Sequence, residues 1–209
     1  MASLASITGQ KTRNMLVEVA RMLFAKWGKD NTTMNDIANA SSKGRRTLYS
    51  YFQSKDEIYL AVIEQELSIL NDKLQEVVAR DLPADQKLSE YIFTRLDVVK
   101  ESITRNGTLK SDFFRDIQEV ERVRRRFDVK DIQLLQQIFE EGKQTGYFNL
   151  HNTELSAQIF HYALRGIEAP YVSDKMSERM KYNKRFIINA FMRGILVKKE
   201  PMQPSRPTI

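Results

Sequence analysis

The 209-residue chain has the composition of an ordinary globular protein, with 42% apolar and 29% charged residues, and a net charge of +6. It has no cysteine, which excludes disulfides, thiol nucleophiles and thiolate metal sites. The sequence has no apolar run of signal-peptide length near its start and no stretch of roughly 20 apolar residues that could span a bilayer, so we expect a soluble, cytoplasmic protein without a membrane partner.

The positive charge lies in the first quarter of the chain. Residues 1–55 hold nine Lys or Arg and three Asp or Glu, whereas residues 56–209 hold 24 of each kind. A basic segment beside a neutral body favours a polyanionic partner. A basic end that serves only solubility would give the same charge pattern.

Apolar spacing predicts helices through nearly the whole chain. Apolar residues three and four apart predict an amphipathic helix over about residues 9–27, which Gly28 ends. Thr33 as N-cap, with Asp36 three residues later, begins a short second helix. Because no segment alternates as a strand does, we expect an all-α fold.

Another pair of helices follows directly. Residues 41–44 (SSKG) interrupt the second helix, and a third short helix covers about residues 45–52. Ser54 and Glu57 form a capping box that begins a long fourth helix, which runs to about Arg80.

The rest of the chain predicts a helical C-terminal domain. Its helices are expected over about residues 85–104, 109–126, 129–144, 153–171 and 176–198. Asp128 is a candidate N-cap for the helix over 129–144. The proline-rich residues 201–209 are expected to form a disordered tail.

The second and third helices have the layout of a helix-turn-helix. In that motif the first helix is braced on the DNA backbone and the second enters the major groove. Leu48 and Phe52 would face the core, and Arg45 and Arg46 stand at the N-terminal end, where Arg can donate two hydrogen bonds to guanine. Lys55 begins the next helix, a position that favours phosphate.

The segment TTMNDIANASSKGRRTLYSYFQSKDEIYLAV closely resembles the DNA-binding signature of the TetR (tetracycline-repressor) family. The matching residues are Thr33, Ile37, Ala38, Thr47, Leu48, Tyr49, Tyr51, Phe52, Ser54 and Lys55. The resemblance implies a DNA-binding domain over residues 1–53 and a ligand-binding and dimerisation domain over residues 54–200, linked by the fourth helix. It also implies a homodimer built by the last two long helices as a four-helix bundle.

The same resemblance assigns roles to residues of the DNA-binding element. Arg45, Arg46, Thr47 and Ser50 would face the groove, and Thr33, Tyr49, Tyr51 and Lys55 would hold phosphates; the two tyrosines could instead pack at the rim of the small domain. Lys43 and Gly44 depart from the family, which usually has an apolar residue and a Ser or Thr there. A glycine cap costs only a few tenths of a kcal/mol, about 0.3, and Lys43 could add a phosphate contact.

Residues of the C-terminal helices supply candidates for a ligand cavity and for the dimer seam. The cavity candidates are Phe93, Phe113, Phe114, Phe139 and His161, although aromatic residues at helical spacing and a single histidine also suit a core. The seam candidates are Phe160, Leu164, Ile187, Phe191 and Ile195.

Catalysis, metal binding and cofactor binding find no support in the sequence. There is no Ser/His/Asp set, paired carboxylate motif or phosphate-binding glycine-rich loop, and His151 and His161 have no matching carboxylate pattern. The basic run 122–126 is flanked by acidic residues and is expected to be a solvated face with ion pairs rather than a second nucleic-acid patch.

These observations favour a non-enzymatic transcriptional regulator. We expect a repressor that binds double-stranded DNA at a palindromic operator and is released by an unidentified small-molecule effector. The alternative is a DNA-binding regulator of the same fold without a small-molecule ligand, controlled by a partner protein or by its abundance.

Overall fold

The computed structural model describes residues 4–107, 118–172, 178–179, 182–192 and 195. Its helices are α1 (Leu4–Trp27), α2 (Met34–Ala40), α3 (Arg45–Tyr51), α4 (Lys55–Val78), α5 (Ala84–Arg105), α6 (Gln118–Gln144), α7 (Thr153–Val172) and α8 (Lys184–Met192). No β-strand occurs in these ranges, and the predicted all-α class is confirmed. Phe113, Phe114 and the predicted tail over 201–209 lie outside the described residues.

The first three helices pack around a core that they share with α4 and with the helices beyond it. Its buried members from these elements are Leu16, Val17, Ala20, Phe24, Ile37, Ala38, Leu48, Phe52, Ile58, Tyr59, Ala61, Val62 and Ile63. Ile103 of α5 and Val123 of α6 belong to the same cluster. The core is therefore continuous across the predicted domain boundary at residue 53, so a displacement of α4 is felt by the N-terminal helices.

A second core fills the C-terminal helices. Leu74 and Val77 at the end of α4 pack with buried residues of α5, α6 and α7. The ring of Phe139 makes edge-to-face contacts with Phe148 at 6.0 Å and with Phe160 at 5.4 Å between centroids. Because α4 contributes to both cores, it connects the two halves of the molecule.

The predicted break near residue 128 is wrong. Helix α6 runs without interruption from Gln118 to Gln144. Asp128 lies in the interior of this helix and caps nothing, and its carboxylate accepts a hydrogen bond from Arg165 of α7 at 3.0 Å. An acidic residue that bonds to a neighbouring helix gives the same local sequence as an N-cap.

The C-terminal end of α5 docks directly on α1. Gly107 has φ +49°, and a Cβ added there would lie 2.7 Å from the carbonyl oxygen of Ala25. The guanidinium of Arg21 donates to the carbonyl oxygen of Arg105 at 3.3 Å. Asn106 is fully buried and donates to the carbonyl oxygen of Ser102 at 2.7 Å. This junction is a second connection, besides α4, between the C-terminal helices and α1.

None of the helices in the described part of the chain combines the length and the apolarity that crossing a bilayer requires.

Candidate nucleic-acid interface and internal cavity

Helix α2 is fixed at its start by the predicted capping box. The side chain of Thr33 accepts from the backbone N–H of Asp36 at 3.2 Å, and the N–H of Thr33 donates to the Asp36 carboxylate at 2.9 Å. Hydrogen bonds from the Thr33 side chain and backbone lower the pKa of Asp36. Ile37 and Ala38 then bury the inner face of α2, which sets its orientation.

The turn between α2 and α3 has an unusual backbone. Ser42 has φ +54° and is the non-glycine residue with positive φ in the described ranges. Gly44, by contrast, has an ordinary φ of −62° and caps α3 without a side-chain hydrogen bond. The position whose backbone conformation favours glycine is therefore occupied by serine, and the glycine lies two positions later.

Replacing Ser42 with glycine is expected to raise the free energy of unfolding by about 0.5–1 kcal/mol. A left-handed backbone costs an L-residue roughly 1–2 kcal/mol, and the larger unfolded-state entropy of glycine offsets part of the gain. Urea denaturation of the purified protein measures the change. The matched control is Ser42→Ala, which keeps a Cβ at positive φ and should bring no gain; equal stability of both variants would argue against a strained turn.

Helix α3 separates a buried face from a polar face. Leu48 is fully buried, whereas Arg45, Arg46 and Tyr49 are exposed. The Arg45 guanidinium lies 6.0 Å from the centre of the Tyr49 ring. Neither arginine forms an ion pair with another described residue. The N–H donors of both guanidinium groups therefore remain available to an acceptor outside the chain.

The remaining predicted contact residues surround this face. Lys43, Gly44 and Ser50 are exposed, Thr47 is half-buried, and the Ser50 hydroxyl donates to the Thr47 carbonyl at 2.7 Å. Tyr51 is half-buried and packs against the first core. Its hydroxyl lies beside α1, 3.7 Å from the position of a Cβ on Gly9. The ring of Tyr51 therefore packs against the core with its hydroxyl beside α1, and a phosphate contact for Tyr51 stays a prediction.

The start of α4 is tied to the loop after α1. The Ser54 side chain accepts from the N–H of Glu57 at 3.1 Å, but the Glu57 carboxylate accepts from Gln53 rather than from Ser54 itself. Lys55 donates to the carbonyl oxygen of Asp30 at 3.3 Å. Its ammonium is therefore held at the N-terminus of α4, where an anion is favoured.

A second site is a cavity of about 60 Å³ between α4, α5, α6 and α7. Its apolar lining consists of Leu67, Leu70, Leu74, Val98, Val99, Ile103 and Phe127. Its polar lining consists of Glu66, Asn71, Arg95, Ser102, Arg124, Asp128, Asp131, Arg165 and Glu168. Arg124 comes from the basic run 122–126, so that run is not simply a solvated face.

One wall of the cavity is a buried ionic network centred on Arg95. Its guanidinium donates to Asp131 at 2.6 Å and to Glu168 at 2.8 Å, and all three side chains are more than nine-tenths buried. Tyr91 donates to Asp131, and the Nδ1 atom of His161 also contacts that carboxylate. Burial alone would raise the pKa of Asp131, but Arg95 and His161 outweigh it and the pKa is lowered.

His161 lies behind this wall rather than in it. Its Nε2 atom is 3.3 Å from Asp128, which lines the cavity. Burial would lower the pKa of His161, whereas the nearby carboxylates of Asp128 and Asp131 raise it, and the net direction is upward. His161 is a buried histidine with carboxylate partners, as the alternative interpretation of the sequence held.

The two aromatic cavity candidates that the structure describes lie elsewhere. Phe139 is fully buried in the second core, and Phe93 is 8% exposed and does not belong to the lining. Their helical spacing reflected core packing, which was the other interpretation of that pattern. Among the described lining residues, the aromatic one is Phe127. No feature of the sequence distinguished Phe127 from the aromatic residues of the core.

The opposite wall has two buried acceptors without partners. Glu66 is 4% exposed and Asn71 is 7% exposed. Ser102 donates to Oε2 of Glu66 at 2.7 Å, and Arg105 binds the same oxygen. Oε1 of Glu66 and Oδ1 of Asn71 are buried, and no described residue donates to either. Such atoms are rare in native proteins and indicate a ligand or water.

Helix α7 exposes an apolar stripe on one face. Leu155, Ile159 and Tyr162 are 51%, 62% and 59% exposed, and they follow helical spacing. Phe160 and Leu164, two of the predicted seam residues, are 8% and 0% exposed and face the second core of their own chain. These two seam candidates therefore contribute to the core of their own chain.

The other seam candidates lie near the end of the chain. Phe191 is half-buried, with its ring 5.3 Å from that of Phe160, and Ile195 packs against the second core. The side chain of Ile187 lies outside the described residues. Phe186 of α8 is 73% exposed and adds to the apolar surface.

Comparison with known proteins adds two family matches. Residues 16–62 match "Bacterial regulatory proteins, tetR family", and residues 87–196 match "QacR-like protein, C-terminal region". The probable acrEF/envCD operon repressor of Escherichia coli (strain K12) is 31% identical over 112 residues, which are 53% of this chain and 50% of that protein. The chain thus spans about half the length of this curated relative.

Two solved structures share the fold over nearly their whole length. A transcriptional regulator from Cytophaga hutchinsonii ATCC 33406 has a TM-score of 0.73 at 22% identity, covering 88% of this chain and 98% of that one. The regulator FadR from Bacillus subtilis, in complex with stearoyl-CoA, has a TM-score of 0.69 at 15% identity, covering 87% and 98%.

Proposed function

The chain belongs to the TetR family of bacterial regulatory proteins, and from that premise we propose that it is a homodimeric repressor which a small molecule releases from a palindromic operator. As a member of this family it is a DNA-binding transcriptional regulator. The observation that carries the proposal is the placement of α4: its first residue, Lys55, lies beside the helix-turn-helix, and its residues 66–74 line the cavity.

Operator recognition is assigned to the exposed face of α3. Arg45 and Arg46 stand in its first turn, and neither is paired with a described acidic residue. Each can donate two hydrogen bonds to a guanine in the major groove. Lys55 and the capped start of α2 at Thr33 would hold phosphates on either side of the reading helix. In this assignment the two arginines read bases, and Lys55 and Thr33 position the protein on the DNA backbone.

Dimerisation is assigned to the exposed apolar stripe of α7, together with α8. The stripe begins with Leu155, Ile159 and Tyr162 and continues at helical spacing through the exposed Ala163 and Gly166. A second copy packed on this face would remove these side chains from water, and the small residues would permit close approach of two helices. Two copies related in this way present two reading helices to a palindrome.

Replacing Ile159 with aspartate is expected to convert the dimer into a monomer at micromolar concentration. Ile159 is exposed in the single chain, so the charge costs little there, but it would be buried unpaired at the interface. Affinity for a full palindrome should fall by about 100-fold or more, because the two heads no longer bind together. Light scattering and fluorescence anisotropy with labelled DNA measure the two effects.

Val129→Asp is the matched control for this substitution. Val129 is 57% exposed on α6, outside the stripe, and this variant should remain dimeric. If Ile159→Asp also remained dimeric and bound the palindrome normally, the proposed seam would be wrong.

The release step follows from the size of the cavity. At about 60 Å³ it is smaller than the roughly 150 Å³ cavity that holds a benzene ring. A larger ligand must therefore push the walls apart, and α4 contributes five of the lining residues. A shift of α4, or of the α5 end that bonds to Arg21, would change the spacing of the two reading heads and lower DNA affinity.

The small cavity also favours a second candidate function, a regulator of the same fold without a small-molecule ligand. Oε1 of Glu66 and Oδ1 of Asn71, to which no described residue donates, favour the ligand-responsive form, because a ligand would satisfy acceptors that the protein leaves open. FadR of B. subtilis, which shares the fold, holds stearoyl-CoA in its solved structure.

Fluorescence anisotropy with DNA from upstream of the protein's own gene and of neighbouring genes tests the proposal. Specific binding that weakens steeply with salt is expected, with at least one small molecule that reverses it. Absence of specific binding at all these sites would contradict the repressor assignment. Specific binding that no compound in a broad chemical screen reverses would support the ligand-free alternative.

A further inference from the structure

We infer that the cavity binds the protonated amino group of an apolar amine between Glu66 and Asn71, an inference that rests on the proposed role of the cavity as the effector site. The two residues are five positions apart on α4 and line the same space. Each presents a buried acceptor oxygen to which no described residue donates. Leaving such atoms unpaired is costly, and a ligand with several N–H donors would satisfy both.

The ion pairs that already exist in the lining favour a cation over an anion. The described lining has four carboxylates, on Glu66, Asp128, Asp131 and Glu168, and three guanidinium groups, on Arg95, Arg124 and Arg165. Arg95 is shared between Asp131 and Glu168. Arg165 is shared between Asp128 at 3.0 Å and Glu121 at 3.5 Å. An acid ligand would have to displace these pairs, whereas an ammonium group would add a partner to Glu66.

The geometry at Glu66 leaves one oxygen for the ligand. Ser102 and Arg105 both bind Oε2, and Arg105 approaches with a side chain that is 44% exposed. Oε1 is buried and accepts from no described residue, and Glu66 belongs to the cavity lining. An ammonium group can therefore bind Glu66 without displacing either existing partner.

The rest of the lining determines the body of the ligand. Leucines 67, 70 and 74 lie on α4, Val98, Val99 and Ile103 on α5, and Phe127 on α6. These side chains suit a hydrocarbon rather than a sugar or a nucleotide. A quaternary ammonium ion has the charge but no N–H donor, so it would leave both acceptors unpaired and bind less well than a primary amine.

A series of four six-carbon probes tests the inference on the full-length dimer. Calorimetry compares n-hexylamine with its N,N,N-trimethyl analogue, with 1-hexanol and with hexanoate. Hexylamine is expected to bind at least 10-fold more tightly than each of the other three. Equal binding of the trimethyl analogue would overturn the donor requirement, equal binding of hexanol would overturn the charge requirement, and absence of hexylamine binding would overturn the inference as a whole.

Glu66→Gln supplies the residue-level test, because it keeps the size of the side chain and removes its charge. Hexylamine affinity is expected to fall at least 10-fold in this variant. Glu64→Gln is the matched control: Glu64 lies on the same helix, pairs with Arg126 at 3.2 Å on the surface and should leave amine binding unchanged. An unchanged affinity in a folded Glu66→Gln protein would overturn the inference, and the wild-type probe series decides it if that variant does not fold.

DNA binding measured with the same probes separates this inference from the proposed function. Hexylamine that binds through Glu66 without releasing DNA would support the site and contradict the release mechanism. Specific DNA binding that is reversed only by compounds without an N–H donor would support the release mechanism and overturn the inference that the ligand is an amine.

Discussion

Replacing Arg95 with methionine is expected to lower the free energy of unfolding by about 3–5 kcal/mol, because two buried carboxylates lose their shared partner. Arg95 is 4% exposed and bonds to both Asp131 and Glu168. Methionine fills part of the volume but supplies no donor, so both acids lose their guanidinium partner in the interior, and Asp131 keeps only Tyr91 and His161 among its described partners. Urea denaturation followed by circular dichroism measures the loss.

Arg80→Met is the matched control for the Arg95 variant. Arg80 also pairs with a carboxylate, that of Glu90, but its side chain is 51% exposed and water replaces the lost partner. The expected change there is below about 1 kcal/mol. A similarly small loss for Arg95→Met would contradict the buried network.

Adding Glu168→Gln to the Arg95 variant tests the physical reason for the loss. The second change removes one of the two unpaired charges, so the double variant should be more stable than Arg95→Met alone. An additional loss of stability would mean that Arg95 acts mainly through packing of its hydrocarbon stem.

The same network shows why part of the C-terminal domain could not be predicted from the sequence. Helix positions and caps follow from local spacing, and Thr33, Asp36 and Ser54 begin helices where their side chains predict them. Arg95 and Asp131 are far apart in sequence and look like ordinary surface residues of amphipathic helices. Only packing of α5 against α6 brings them together, and that packing has no local sequence pattern.

Helix α7 shows the same limit for apolar residues. Ile159 and Phe160 are neighbours in sequence, each belongs to an apolar set at helical spacing, and both sets could form a core or an interface. The helix turns Phe160 inward, where it meets Phe139 and Phe191. Ile159 is left 62% exposed. Periodicity predicted the helix. It could not decide which of the two apolar faces of the helix would be buried in the core of its own chain.

The helix-turn-helix was predictable in more detail because its features are local. Caps, a short turn and an apolar frame all lie within about two dozen residues, and each predicts the same arrangement of α2 and α3. The backbone of the turn was the exception. The left-handed position falls on Ser42, whereas the glycine at position 44 has a backbone that any residue can adopt.

Replacing Arg46 with alanine is expected to weaken binding to the operator by about 1–3 kcal/mol, or roughly 5- to 150-fold, with little change in binding to unrelated DNA. Arg46 is exposed in the first turn of α3 and pairs with no described acidic residue, so its removal should change the free energy of unfolding by less than about 0.5 kcal/mol. A loss of DNA affinity therefore cannot be attributed to unfolding. Arg45→Ala should behave in the same way, apart from its lost contact with the Tyr49 ring.

Lys55→Ala is the contrasting variant, because Lys55 is assigned to phosphate rather than to a base. It should weaken binding to operator and unrelated DNA alike and should reduce the slope of log affinity against log salt by about one. Anisotropy titrations of both DNAs at several salt concentrations distinguish the two patterns. If Arg46→Ala weakened both DNAs equally and flattened the salt dependence while operator preference persisted, Arg46 would be a phosphate contact. Base reading would then belong to other residues of the exposed α3 face.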